Sequence, residues 1–251
     1  MPPSRWSYLD QPEPLAFAHR GGAEDAPENT MRAFEHAVRL GYRYLETDAH
    51  LTADGVLVAF HDDVLDRVTD RAGRIGDLAW AEVAEARVAG GEAIPLLEDL
   101  LLAFPQARIN IDPKHDDAVE PLAALLTKLD AIDRVGIGSF SSARLARMRR
   151  LCGPRLCTSI GPAEILRLRY GGFGRYAAGC VQVPVRWGRM QIVNRRLLDA
   201  CHRRGMQVHV WTINEPDEMH RLLDLGVDGL MTDRPAALKQ VLVARGQWPT
   251  A

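Results

Sequence analysis

Glu46 and Asp48 are separated by a single residue within the β-like run Tyr44–Asp48. Strand alternation turns both carboxylates to one face, about 6.5 to 7 Å apart along the chain. Asp112 follows the later run Arg108–Ile111 and is placed to complete a three-carboxylate cluster. Three carboxylates converging in an interior cannot all stay ionised without a counter-charge, and a hard divalent cation supplies one. All-oxygen ligation points to one Mg2+ or Ca2+ ion rather than zinc. The alternative is a set of solvated acids at a strand edge, which burial distinguishes. His19 and His61 each close a β-like run flanking the carboxylate strand. Two imidazoles so placed suit acid–base work, one removing a proton and the other protonating a leaving oxygen. Arg20 and Lys114 add positive charge at strand ends. Only Lys114, Lys128 and Lys239 among the 31 basic residues are lysine, the rest arginine. A lysine two positions past Asp112 therefore suggests a need for a compact charge that meets one phosphate or carboxylate oxygen.

These residues need elements to position them, and the chain supplies alternating β-like and helical runs to its end. The strand candidates are Leu15–Ala18, Tyr44–Asp48, Val56–Phe60, Arg108–Ile111, Val135–Ser139, Leu156–Ile160, Cys180–Val185, Val208–Ile213 and Gly229–Thr232. Helical stretches at Glu28–Leu40, Asn194–Arg204 and Pro216–Leu225 each run into a glycine, a common C-cap. Ala53-Asp54-Gly55 is a turn signal, so Leu45–His61 reads as a small hairpin-like excursion after the second strand. Setting it aside leaves eight strand–helix units, the arithmetic of a single-domain (β/α)8 TIM barrel. A doubly wound open sheet is the alternative, since periodicity does not report closure. Asp77–Phe104 reads as helical with a break at Gly90-Gly91.

Composition narrows the function classes. A net charge of −2 with 47% hydrophobic and 25% charged residues describes an ordinary soluble globular protein rather than a nucleic-acid binder, which carries a basic surplus. Four cysteines in a chain this long make no disulfide framework, and free thiols are expected. Met1–Trp6 contains two prolines and no apolar run, and no stretch approaches a membrane span, so a cytoplasmic protein with no stable membrane insertion is expected. Phosphate loops, zinc-hydrolase motifs and the serine-hydrolase elbow are all missing from the sequence. Gly171-Gly172-Phe173-Gly174 reads as a flexible loop. Between Glu164 and Asp199 there is no acid but seven arginines, Arg167, Arg169, Arg175, Arg186, Arg189, Arg195 and Arg196. That segment is either an anion-attracting flank or a solvated face. The six other histidines fall at positions without such convergence, although His209 shares a strand face with Trp211 and could line the barrel.

The ordered set His19-Arg20-Gly21, Pro27-Glu28-Asn29-Thr30, Glu46-x-Asp48, His61-Asp62, Asn110-Ile111-Asp112-Pro113-Lys114 and Trp211-Thr212-Ile213-Asn214 resembles the glycerophosphodiester phosphodiesterase family. Gly226–Pro235 looks like that family's last-strand signature, and the likeness runs from about Leu15 to Pro235. The resemblance implies a TIM barrel with a divalent cation held by Glu46, Asp48 and Asp112. It makes His19 and His61 the acid–base pair, Arg20 and Lys114 the phosphate holders, and Trp211 an apolar wall at the mouth. The implied partner is a small glycerophosphodiester, split to glycerol 3-phosphate and an alcohol; homo-oligomerisation is left open. Two departures stand out: Asp112 where Glu is common, and Val68 within Arg67-Val68-Thr69 where a threonine is common. The competing activity is lysophospholipase D- or sphingomyelinase D-like hydrolysis of phospholipid head groups. The sequence offers no exposed hydrophobic stretch to receive acyl chains. A non-catalytic barrel module is the third reading, and it predicts a broken site, whereas every catalytic position here is filled.

Overall fold

Eight short runs, four of them entirely buried, pair side by side in parallel, as expected of strands covered on both faces. In the computed structural model, which describes residues 5–12, 14–169 and 176–249, these are β1 (Leu15–Ala18), β2 (Tyr44–Leu51), β3 (Arg108–Pro113), β4 (Val135–Ile137), β5 (Cys157–Thr158), β6 (Cys180–Pro184), β7 (Gln207–Trp211) and β8 (Gly229–Thr232). Their order is β5-β4-β3-β2-β1-β8-β7-β6. The two ends meet: Ser159 bridges Cys180 in parallel, and the Ile160 N–H donates to the Cys180 carbonyl at 3.1 Å. The sheet is therefore closed, and the open doubly wound alternative falls away.

One helix follows each strand, at Met31–Leu40, Leu97–Ala103, Val119–Lys128, Ser142–Cys152, Pro162–Arg169, Arg195–His202, Pro216–Leu225 and Pro235–Ala244. Local chemistry sets several of their ends. The Thr30 side chain accepts from Ala33 N–H and starts the first helix, and Gly41, at φ +95°, stops it in the left-handed region. Asn194 caps Arg195–His202 in the same way. The buried faces of these helices meet the outer faces of the strands in one continuous apolar layer around the barrel.

The excursion is a true hairpin: Leu57–Ala59 pairs antiparallel with the end of β2, His50 opposite Val58. The segment expected to be helical over Asp77–Phe104 is not one helix. It contains the short helices Trp80–Val83 and Leu97–Ala103, separated by an antiparallel pair, Arg87–Val88 with Glu92–Ala93. The reason is a tight turn in which Ala89 and Gly90 both take positive φ, at +46° and +75°. Val88 and Ile94 then face Val58, Phe60, Leu65, Ile75 and Val83 in a separate small core. That core holds the loop carrying His61 against the excursion, which joins the barrel through the pairing of Leu57–Ala59 with β2.

The bottom of the barrel is plugged by residues 6–9. Trp6, Tyr8 and Leu9 pack against Phe17, Tyr44, Cys157 and Met231. Gly136 on β4 makes room, since a Cβ there would lie 2.4 Å from the Tyr8 ring. His209 fills this interior too, fully buried with its ring 4.9 Å from Phe17, and it does not reach the cavity at the other end. The four cysteines are free thiols. Gly171–Gly174 and Arg175 lie outside the described residues. Of the other arginines in the acid-free segment, Arg167, Arg186, Arg189, Arg195 and Arg196 are exposed. No helix among the described residues is long and apolar enough to cross a membrane.

Candidate active site

Parallel closure points the carboxyl ends of all eight strands at one face, where loops rather than ladder bonds decide what is presented. A cavity of about 180 Å3 opens there, lined by all eight residues singled out in the sequence: His19, Arg20, Glu46, Asp48, His61, Asp112, Lys114 and Trp211. His19 and Arg20 lie in the single turn that follows β1, with Arg20 at φ +52°. Glu46 and Asp48 sit on β2, and Asp112 near the end of β3. The β2–β3 register sets Asp48 directly opposite Asp112, and Glu46 opposite Asn110. Glu46 and Asp48 are buried, at 5% and 2% exposure, so the solvated-acid alternative does not hold.

Two of the three carboxylates, Glu46 and Asp112, are not fully compensated by the cations around them. Burial is the largest influence on Glu46 and, with Asp48 nearby, raises its pKa to about 7, against the His19 ring. Burial likewise raises Asp112. Asp48 alone is held below the usual carboxylate range: burial opposes its charge, but Lys114, His61 and Arg20 outweigh that. The Lys114 ammonium lies between two acids, 2.6 Å from Asp48 Oδ1 and 3.0 Å from Asp112 Oδ2. Burial disfavours its charge, yet these neighbours raise its pKa. Asp112 Oδ1 remains buried without a hydrogen-bond partner, and so does Arg20 Nε. An orphaned acceptor among under-compensated carboxylates fits a hard cation, and an orphaned guanidinium N–H beside it fits an anionic oxygen.

Both histidines are held by carboxylates that stand in the quoted tags but were assigned no role there, Asp233 and Asp62. His19 Nδ1 lies 2.6 Å from Asp233 Oδ1, across 214 residues, with its Nε2 3.8 Å from Glu46 Oε2. Asp233 is fixed in turn by Asn214, whose Nδ2 donates to Oδ2 at 2.9 Å. His61 Nδ1 lies 2.5 Å from Asp62 Oδ1, and Arg67 bonds Asp62 and Glu28 together. Glu28 also accepts from Arg20 Nη1 at 3.0 Å, and Asn29 Nδ2 donates to Asp48 at 3.2 Å. The Pro27-Glu28-Asn29-Thr30 tag thus braces Arg20 and Asp48 and caps a helix. An Nδ1–carboxylate bond leaves the opposite ring nitrogen of each histidine for proton transfer. Burial alone would lower the His19 pKa, but Glu46 and Asp233 raise it; for His61 burial prevails and the pKa is lowered.

The Arg67 pairing has a consequence for acid stability. Burial would raise Asp62, but the Arg67 guanidinium and the His61 ring hold it down to about 2. Folded Asp62 keeps its charge at lower pH than the unfolded chain, whose aspartates titrate near 3.9. It therefore contributes stability above about pH 4 that is lost as the pH falls toward about 2. Asp62→Asn is expected to show a shallower fall of Tm over that window than the unsubstituted enzyme. Parallel melting curves across it would remove the pair from the acid response.

Opposite the polar half, the cavity wall is apolar. Trp211 packs edge-on against Phe140 with centroids 5.6 Å apart. Phe140 and Trp187 are 61% and 57% exposed, and both reach the cavity with Ile160, Ile165 and Ile192. Trp187 belongs to a short hairpin, Arg186–Trp187 with Met190–Gln191. The sequence showed no exposed hydrophobic stretch because these side chains come from separate loops, each contributing one or two.

Comparisons with known proteins place the chain in a family. The profile of the "Glycerophosphoryl diester phosphodiesterase family" matches residues 19–237. A Mycobacterium tuberculosis protein named "Probable glycerophosphodiester phosphodiesterase 2" is 42% identical over 94% of this chain and 94% of its own length. A Homo sapiens lysophospholipase D is 30% identical over 90% of this chain and 85% of its own. Among solved structures, an Oleispira antarctica phosphodiesterase in complex with sn-glycerol-3-phosphate superposes with a TM-score of 0.78. It is 23% identical and covers 92% of this chain and 97% of that one. With the tags in order along the chain and their side chains gathered at one barrel mouth, the protein belongs to the glycerophosphoryl diester phosphodiesterase family and is a phosphoric diester hydrolase.

Proposed function

We propose that this enzyme hydrolyses glycerophosphodiesters to sn-glycerol 3-phosphate and an alcohol, with His19 and His61 as its acid–base pair. The observation that carries the reading is the cavity itself, in which two carboxylate-oriented imidazoles face one cluster of acids and bases. Glu46, Asp48 and Asp112 would hold one divalent cation, Mg2+ or Ca2+, as the orphaned Asp112 oxygen and the raised Glu46 pKa support. Such a cation neutralises phosphoryl oxygens and so eases attack on an anionic diester. Arg20 and Lys114 bind the remaining oxygens of the phosphate. One imidazole takes the proton of the attacking oxygen, from water or from the neighbouring glycerol hydroxyl. The bond from phosphorus to the alcohol oxygen breaks, and the other imidazole delivers a proton to that oxygen. When the glycerol hydroxyl attacks, water opens the cyclic phosphate in a second step that restores both histidines. The phosphodiesterase complex with sn-glycerol-3-phosphate named above supports the product, and the small polar substrate suits a cytoplasmic enzyme.

The apolar wall favours a second substrate class, lysophospholipids. Phe140, Trp187 and Trp211 would lie along an acyl chain while the phosphate occupies the same polar floor. The lysophospholipase D relative supports it. One assay tests both readings: release of sn-glycerol 3-phosphate from glycerophosphocholine, -ethanolamine and -inositol, and of choline from lysophosphatidylcholine. Activity is expected to vanish in EDTA and return with Mg2+ or Ca2+. Turnover indifferent to chelation removes the cation, and inertness toward every glycerophosphodiester overturns the principal reading.

A further inference from the structure

His50, Asp63 and His115 were assigned no common place by sequence, yet folding brings them together from three segments. His50 lies near the end of β2, opposite Val58. Asp63 follows the His61-Asp62 pair, and His115 follows Lys114 just past β3. One donor atom from each lies within 4.8 Å of the other two; among the described residues no other group of three histidine, cysteine or acidic side chains is so close. Asp63 and His115 already meet, with Oδ1 2.8 Å from Nε2. The His50 and His115 rings are 5.3 Å apart.

Hydrogen bonding prepares His50 for ligation. Its Nε2 lies 3.0 Å from the His61 carbonyl oxygen. A carbonyl only accepts, so Nε2 carries the proton and Nδ1 keeps its lone pair. That is the arrangement by which an outer-shell carbonyl fixes the tautomer of a ligating histidine. His50 is buried, His115 half-buried and Asp63 exposed, so the group is rigid on its inner side and reachable from water. Two imidazoles and one carboxylate suit a borderline transition-metal ion, Zn2+ foremost, rather than Mg2+ or Ca2+. A tetrahedral zinc spaces its ligand atoms by about 3.4 Å. Rotation of the Asp63 and His115 side chains closes the remaining gap.

We propose that His50, Asp63 and His115 form a second metal site, selective for Zn2+-like ions and distinct from the carboxylate pocket. An ion there ties the loop of His61 and Asp62 to the ends of β2 and β3, which carry Asp48, Asp112 and Lys114. It is a staple across the catalytic rim, with water completing the fourth position.

The test is titration of the EDTA-stripped, dialysed enzyme with Zn2+ in saturating Mg2+, followed by calorimetry and by Tm. Co2+ substitution adds a visible absorption band whose intensity reports tetrahedral geometry. One ion per chain and a rise in Tm are expected, both lost in His115→Ala and Asp63→Ala and both retained in Asp112→Asn. A metal-free Tm for His115→Ala close to that of the parent shows that the variant is folded. Binding lost in Asp112→Asn but kept in His115→Ala places the ion among the catalytic carboxylates and overturns the proposal. No stoichiometric binding, or binding indifferent to all three substitutions, overturns it equally. These readouts do not involve substrate, so failure here is separable from failure of the hydrolytic reading.

Discussion

His19→Ala and His61→Ala are each expected to lower kcat on glycerophosphocholine by about 10²-fold or more, with little change in KM. The two rings are held alike, each through Nδ1 by an aspartate, which leaves Nε2 of each ring for the proposed proton transfer. Neither ring bears on the floor of the barrel or on a helix core, and both are partly exposed at the cavity, so their loss need not unfold the protein. The double variant is expected to lose little beyond the worse single one, because the two steps belong to one transition state. Asp233→Asn supplies the intermediate case. It leaves the His19 ring a neighbour of similar shape but removes the charge, and kcat should fall less than with His19→Ala. Near-normal turnover in either alanine variant would falsify the pair as catalysts.

Replacing Lys114 by Met has the second large effect, and it acts on both stability and activity. Asp48 and Asp112 stand opposite each other in the β2–β3 register, with Lys114 Nζ between them. Without that ammonium, two mostly buried carboxylates face each other with Arg20, 3.6 Å from Asp48, as the nearest remaining cation in an ion pair with them. Breaking a buried ion pair by removing one partner costs about 3–5 kcal/mol. In EDTA the variant is expected to melt well below the parent. Excess Mg2+ or Ca2+ should recover more of the difference than the same addition raises the parent, since a cation in the carboxylate pocket restores the missing charge. The phosphate also loses a contact, and kcat/KM should remain about 10²-fold down even with the metal saturating. An unchanged Tm in EDTA would show that the carboxylates find another counter-charge. Lys114→Arg is not a conservative control, because a planar guanidinium on a longer side chain meets two carboxylates in a different geometry from a compact ammonium.

Much of this site can be read along the chain because its parts are local. Alternation alone puts Glu46 and Asp48 on one face, and the position of His19, Asp112 and Trp211 at the ends of β-like runs marks them for the barrel mouth. Gly41 and Gly226 stop their helices where the periodicity says they end, whereas Thr30 caps the first helix so that it starts at Met31 rather than at Glu28. The misread segment, Asp77–Phe104, failed because it serves two cores: Val83, Ala86, Val88 and Ile94 pack onto the excursion while Leu97, Leu100 and Leu101 pack onto the barrel, and a positive-φ turn at Ala89-Gly90 divides the two.

Other features depend on partners distant in sequence, and no local pattern encodes them. The 214 residues between His19 and Asp233 become a 2.6 Å contact only because β1 and β8 are neighbours in a closed barrel. The apposition of Asp48 and Asp112 is a property of register, which shifts every side chain if it slips by one residue. The apolar wall is assembled from single residues on several loops, and the His50–Asp63–His115 group from three segments with no shared motif. Residue type and spacing thus determined which reactive groups this protein can bring to one face, since side-chain identity and strand alternation are local properties. Tertiary structure alone decided which charges face one another, because contact and burial are set by closure of the sheet.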